Sequence, residues 1–373
     1  MAFKFPTAEA LIAEAKESAG LSDFGPGQFK DNLARLLQSM ETEGRLSEAS
    51  AAGMAGQMKR RLVNRLLVEE WRRTHPEVDA VKVGPSVSIT GLPRTGTTAL
   101  ANILSQEPQF RCLRTWEQTQ IIPPPVAGED EQDPRRLAAV ANNERMLRER
   151  PEMAALHLWD ADTTEEDVEL LGMSFQAQQF AMPIYGWHAW WRQADLTDTF
   201  AYHRRIIEVL QSRRPPDHWL FKAPAHCYHL EAFMAAYPDA KVIPSSISFL
   251  EAVMPPGTMT DPVERGRQSC EHLRVGMERA IEQRRRLGEH RFFDLHHKEF
   301  VADPFGALER IYAFIGMEFT PASRAKMEAW HAENRSGAHG KHRYTAEQFG
   351  LTEDQIRSDY DFYIKRFDVP VEG

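Results

Sequence analysis

Gly91 and Gly96, spaced Gly-x-x-x-x-Gly, enclose Leu92, Pro93, Arg94 and Thr95, and Thr97 and Thr98 follow directly. A glycine-bounded loop between a strand and a helix turns backbone N–H groups onto an anion, and the positive end of the helix dipole points the same way. Nucleotide-hydrolysing loops carry a lysine after the second glycine; here Thr97 takes that place. Arg94 and the threonine hydroxyls suit a smaller anion held without a metal. Three side chains downstream have chemistry to use beside such a cradle. Glu117 and His157 are candidate proton acceptors, and the Lys222 ammonium can neutralise charge on a departing oxygen. His157 is flanked by Leu156, Leu158 and Trp159 and followed by Asp160, Asp162, Glu165, Glu166 and Asp167, a setting that tunes an imidazole to take a proton near neutrality.

These residues need a scaffold. The β-branched run from Val87 to Thr90 predicts a strand, and Ala99 to Leu104 a helix leaving the loop. A short strand from Phe110 to Glu117 is expected beside the first, with Glu117 at its carboxyl end, where parallel sheets bind ligands. Thr163 or Thr164, followed by acids, reads as a helix start and leaves His157 in the preceding loop. His218 to Lys222 reads as a buried strand ending in the lysine. Strands near 87–90, 111–115, 218–222, 241–245 and 291–295 with helices between them predict an α/β fold: a P-loop-like, three-layer arrangement with a mostly parallel sheet.

Residues 1–84 read as a helical N-terminal extension, with helices over Ala8–Glu17, Phe29–Glu43 and Met58–Arg73, and residues 85–373 as the α/β domain. Arg60, Arg61 and Arg65 are expected on a solvated face opposite Leu62, Leu66 and Val68. The charged stretch Glu129–Glu152 predicts an exposed helix or flap after a triple proline. Phe175, Phe180, Tyr185, Trp187, Trp190 and Trp191 are dense enough to form core and to give some rings to an apolar pocket. Proline opens and glycine closes a helix from Asp303 to Gly316, and Glu353–Phe367 reads as one amphipathic helix. His296 and His297 point to opposite sides of their expected strand, which argues against a shared metal.

The 373 residues are 42% hydrophobic, enough for a sizeable core, and no run approaches the about 18 apolar residues of a membrane span. A net charge of -9 argues against nonspecific nucleic-acid binding. Cys112, Cys227 and Cys270 are odd in number and scattered, as expected of reduced thiols. With no secretory leader at the first residues, the expectation is a cytoplasmic protein; nothing indicates an oligomer.

Gly-Leu-Pro-Arg-Thr-Gly-Thr-Thr resembles the 5'-phosphosulfate loop of sulfotransferases that use 3'-phosphoadenosine 5'-phosphosulfate (PAPS), in the bacterial branch that includes polyketide-associated modules; the tyrosylprotein enzymes carry a related loop. The resemblance extends over about residues 8 to 368. It implies that Pro93, Arg94, Thr95, Gly96, Thr97 and Thr98 hold the phosphosulfate and that Lys222, in Leu220-Phe221-Lys222-Ala223-Pro224-Ala225-His226, leans on the transferring group. It implies a catalytic base at His157, by similarity to the assembly-line enzymes, or at Glu117, by similarity to the tyrosylprotein enzymes. Ser245, Lys341 and Arg343 complete the residues assigned to the nucleotide. The implied reaction moves a sulfuryl group from PAPS, as co-substrate, to a hydroxyl of a small acceptor, with no metal.

The sequence departs from the family after Tyr237-Pro238-Asp239-Ala240-Lys241-Val242-Ile243. Ile247 stands where the family has an arginine on the 3'-phosphate, and Pro255 where it has a serine. Losing a charged hydrogen bond costs about 1.5 to 3 kcal/mol, roughly a ten- to hundredfold fall in affinity. Two functions therefore stand side by side: a PAPS-dependent transferase, and a sulfotransferase-like protein that binds a nucleotide or apolar ligand without turnover. A small-molecule kinase is disfavoured by Thr97.

Overall fold

The computed structural model describes residues 4–92, 96–151, 160–179, 182–246, 261–334 and 345–369. Three helices come first: α1 (Ala8–Ala19), α2 (Phe29–Glu43) and α3 (Glu48–Thr74). The central strand β1 (Ser86–Gly91) leads to α4 (Thr97–Leu104), β2 (Phe110–Cys112), α5 (Thr115–Thr119), α6 (Pro134–Glu149), α7 (Val168–Gly172), α8 (Tyr185–Trp191) and α9 (Thr197–Gln211). Then follow β3 (His218–Lys222), α10 (Leu230–Ala236), β4 (Lys241–Ser246), α11 (Pro262–Leu287), β5 (Leu295–His296), α12 (His297–Ala302), α13 (Pro304–Ile315), α14 (Pro321–Glu333), α15 (Glu353–Asp359) and α16 (Asp361–Phe367).

The five strands form one parallel sheet in the order β2-β3-β1-β4-β5. Strand alternation divides the core between its two faces. Val87 and Ile89 of β1, Leu220 of β3 and Ile243 of β4 pack with Leu100, Ile103, Leu104, Leu308 and Ile311, under α4 and α13. Trp219, Phe221 and Val242 pack on the other face with residues of α1–α3 and α7–α11. This is the three-layer α/β architecture expected of the alternating pattern.

Several elements differ from expectation. Phe110–Cys112 lies at the sheet edge beside β3, not beside β1. The chain turns helical at Thr115 because the Glu117 carboxylate accepts the Arg114 N–H at 3.1 Å and caps α5, so Glu117 sits on a helix. The helix expected from Thr163 or Thr164 starts only at Val168. Thr163 Oγ1 donates back to Asp160 O, and the Thr164 N–H goes to Asn102 Oδ1 of α4 at 3.0 Å, which ties this stretch down as a turn. The last strand is two residues long, with a bridge from Phe292 to Val242, and His297 opens α12. The terminal helix breaks at Tyr360, whose buried hydroxyl donates to Cys270 O.

Of the basic residues expected on the solvated face of α3, Arg60 is exposed, whereas Arg61 and Arg65 are buried. Arg61 pairs with Glu169 at 2.6 Å, and Arg65 donates to Phe24 O, Pro26 O and Met173 O while stacking 3.5 Å over Tyr202. Residues 39 to 137 positions away supply those partners. Guanidinium groups with several carbonyl acceptors can be buried where lone charges cannot.

A second buried polar network lies against the sheet. Ser88 and Thr90 put hydroxyls on the face opposite Val87 and Ile89. Thr90 Oγ1 donates to Ala223 O and accepts the Cys227 N–H, and Ser88 Oγ lies 2.8 Å from His226 Nδ1. The Asp167 carboxylate sits 3.0 Å from His226 Nε2 and 3.2 Å from His203 Nε2, and His203 Nδ1 reaches the Tyr237 hydroxyl at 2.7 Å. Burial alone would raise the Asp167 carboxyl; facing His226 and His203 outweigh it and hold the group well below the ordinary carboxylate range.

Two predictions follow from these contacts. Gly91 has φ +121°, and a Cβ there would stand 2.4 Å from Ser245 O, so Gly91→Ala is expected to lower stability in urea denaturation by about 2 to 4 kcal/mol. For Asp167 the native proton affinity is depressed, so as pH falls the unfolded chain takes up its proton first. The stabilisation is therefore full at neutral pH and lost toward acid. Asp167→Asn should cost about 3 kcal/mol at neutral pH, and the gap to wild type should narrow as denaturation is repeated below pH about 4.

Candidate active site

Three adjacent strands end together at one edge of the sheet. Lys222 pairs in register with Ile89, two residues before Gly91, and Gly91 pairs with Ser245. The carboxyl ends of β3, β1 and β4 thus bring Lys222, the glycine turn and Ser245 to one edge, beside the start of α4. Gly96 caps α4 with φ +76°, and a Cβ there would meet the His297 ring at 2.8 Å, so both glycines of the turn are required by backbone angle and by space. Thr97 and Thr98 open the helix, where the first N–H groups have no partner within a helix. Thr97 and Ser245 are buried. Pro93, Arg94, Thr95, His157, Ile247, Pro255, Lys341 and Arg343 lie outside the described residues.

Lys222 follows Leu220 on the same side of β3, the side facing α4. Its ammonium is 2% exposed and lies 3.2 Å from Glu166 Oε1, whose side chain is 32% exposed. A buried ammonium needs such a partner. The stretch carrying Glu166 is held from several directions. Besides Asn102, the Glu165 N–H donates to Leu113 O at 2.9 Å, Gln118 Nε2 donates to Glu166 O at 2.9 Å, and Arg136 Nε holds Asp162 at 2.9 Å. Asp167, the next residue, points into the core network.

Glu117 occupies a different environment from the strand end expected for it. Its carboxylate is closed to solvent, 2.9 Å from the Arg111 guanidinium, with the other oxygen on the Arg114 N–H. Arg111 in turn donates to Leu210 O and Arg214 O and lies over Trp219.

The aromatic stretch is mostly core. Phe175, Trp187 and Trp191 are buried, and Arg35 lies over the half-buried Trp190. Three histidines join these rings: Trp191 packs 4.7 Å from His229, and His272 lies 4.8 Å from Tyr228 and 5.5 Å from His188. Gln178 contacts His272. Burial pushes His188 down to about 4 and His229 to about 3, and drives His272 well below its ordinary value, so all three are neutral at pH 7. Phe180 lies outside the described residues.

Glu166, Asp167, His203 and His226 were not singled out as site or network residues from the sequence. The alternation of Ser88 and Thr90 with Val87 and Ile89 on a fully buried strand was the available signal, since buried hydroxyls require polar partners.

The sequence profile of the Sulfotransferase family matches residues 85–321, more than half of the chain. No curated protein sequence matches. Among solved structures, sulfotransferase STF9 from Mycobacterium avium is similar with a TM-score of 0.90 at 27% identity, covering 98% of both chains. Sulfotransferase STF1 from Mycobacterium tuberculosis H37Rv is similar with a TM-score of 0.84 at 25% identity, over 96% of this chain and 99% of that one. The parallel sheet, the glycine turn at β1 and the lysine ending β3 agree with that assignment: the chain belongs to the sulfotransferase family.

Proposed function

We propose that this protein transfers the sulfuryl group of PAPS to a hydroxyl of a small apolar or aromatic acceptor. The observation that carries the reading is the buried Lys222 ammonium beside the glycine turn. Membership of the family supports sulfuryl transfer in general; the donor and the acceptor class are the proposal. The residues at the sheet edge fit the sulfuryl end of such a donor. Gly91 and Gly96 keep side chains out of the turn, the first turn of α4 offers N–H groups, and Lys222 supplies a compact positive charge.

In this mechanism Arg94, the amides of residues 96–98 and the threonine hydroxyls hold the anionic end, and Lys222 neutralises charge on the bridging oxygen as it leaves. Proximity supplies much of the remainder. Ser245, Lys341 and Arg343 are assigned to the nucleotide, with residues 85–373 forming the catalytic domain and 1–84 its extension. A single sulfuryl charge handled by these groups asks for no metal, and activity is expected to survive a chelator; strict magnesium dependence would count against the proposal.

A second reading, binding without turnover, is motivated by Ile247 and Pro255 in place of the family's arginine and serine. Calorimetry with 3'-phosphoadenosine 5'-phosphate and with its analogue lacking the 3'-phosphate separates the cases. Tight binding of the first alone supports PAPS, equal binding points to another donor, and binding of neither contradicts the transferase. Labelled PAPS offered to phenols, steroids, lipids and sugars then identifies the acceptor. Lys222→Met should lower kcat by about a hundred- to a thousandfold while 3'-phosphoadenosine 5'-phosphate binds within about tenfold of wild type; unchanged kcat would remove Lys222 from the chemistry.

A further inference from the structure

We propose that Asn102 of α4 is a positioning residue for sulfuryl transfer: it fastens the turn that carries the partner of Lys222 to the helix that receives the donor. The inference rests on the PAPS-dependent reading above and gives a role within it to a side chain beyond the first turn of α4.

Asn102 stands one turn beyond Thr98, on the same face of α4. Its side chain is buried, and Oδ1 accepts the Thr164 N–H at 3.0 Å from a residue 62 positions away in the chain. The Asn102 backbone carbonyl accepts the Ser105 hydroxyl at 2.8 Å and Gln106 Nε2 at 3.0 Å, which satisfies one of the last carbonyls of the helix and fixes its end at this residue. Side chain and backbone are thus both committed, one to the turn and one to α4.

Thr164 precedes Glu166 by two residues and is 2% exposed. A backbone N–H in such a place costs free energy unless it is paired, and Asn102 supplies the pair. The next two residues are held by other elements. The Glu165 N–H donates to Leu113 O after β2, and Gln118 Nε2 of α5 donates to Glu166 O, both at 2.9 Å. Of the three anchors, α4 alone begins at the glycine turn. The Asn102 contact therefore sets where the Glu166 carboxylate, 3.2 Å from Lys222 Nζ, stands relative to a donor seated at the start of α4. Removing the acceptor leaves the Thr164 N–H unpaired, and the turn relieves that by shifting toward water. Groups that must stay within about 0.5 Å of a working geometry do not survive such a shift.

The test uses full-length protein, labelled PAPS and the acceptor found by the screen above, at a temperature where circular dichroism shows every variant folded. Asn102→Ala is expected to lower kcat at saturating donor by about ten- to a hundredfold and to bind 3'-phosphoadenosine 5'-phosphate within about threefold of wild type. Asn102→Asp keeps an acceptor oxygen for the Thr164 N–H and should return kcat at saturating donor to within about fivefold of wild type. A side chain that served stability alone would lower the melting temperature and leave the kcat of the folded protein unchanged. The proposal is overturned if Asn102→Ala keeps kcat within a few-fold, if it loses nucleotide binding together with kcat, or if Asn102→Asp is no more active than Asn102→Ala. Wild type that binds no nucleotide, or labels no acceptor, contradicts the PAPS-dependent reading itself, a result distinct from a loss confined to the Asn102 variants.

Discussion

The Lys222 ammonium is withdrawn from water. Without a partner that withdrawal would cost several kcal/mol, and the Glu166 carboxylate 3.2 Å away offsets that cost. Glu166 can do so only if residues 160–167 are held at the sheet edge. The holding is distributed: Asn102 of α4, Leu113 after β2, Gln118 of α5 and the two histidines facing Asp167 each contribute one contact. Adjacent acids divide the work, Glu166 facing the site and Asp167 facing the core. Asp167 and Glu166 are neighbours in the chain, so the buried network holds the partner of Lys222 one peptide bond away.

The sheet determines where that pair stands. β1 is buried on both sides, with apolar side chains under α4 and hydroxyls toward His226 and Ala223, so its carboxyl end is held from both faces. Gly91 then lets β1 and β4 approach too closely for any Cβ, and Gly96 turns the chain into α4 against His297. Farther out, Arg61, Arg65 and Arg72 of α3 reach carbonyls and carboxylates of α7 and α9 and their flanking loops. The N-terminal helices are bound to the sheet domain by these clasps as well as by apolar packing.

Much of this was legible in the sequence, and the reasons for the remainder are physical. The strands at 86–91 and 218–222, the helices α1 and α2, the proline-to-glycine helix α13 and the glycine turn depend on local patterns of residue type, and all were visible. Glu117 was misplaced because its partner Arg111 and its capping of Arg114 depend on a helix start that β-like composition concealed. Arg65 looked solvated because its acceptors are backbone carbonyls, which no sequence pattern marks. Asp167, His203 and His226 meet across 23 to 59 positions of chain, and only the buried hydroxyls of Ser88 and Thr90 hinted at them. Lys222 at the end of β3 and Thr97 at the start of α4 stand where residue type and spacing put them; Glu166 was one of five acids in a row of eight, and only its contact with Lys222 distinguishes it.

The central proposal is that the sulfuryl donor binds where β3 ends, with Lys222 beside its leaving oxygen. The most direct measurement is the structure of the protein bound to 3'-phosphoadenosine 5'-phosphate. The account predicts the 5'-phosphate at the start of α4 with Lys222 Nζ within hydrogen-bond distance of it. A nucleotide bound away from the turn, or Lys222 still directed only at Glu166 with the phosphate out of reach, would contradict it.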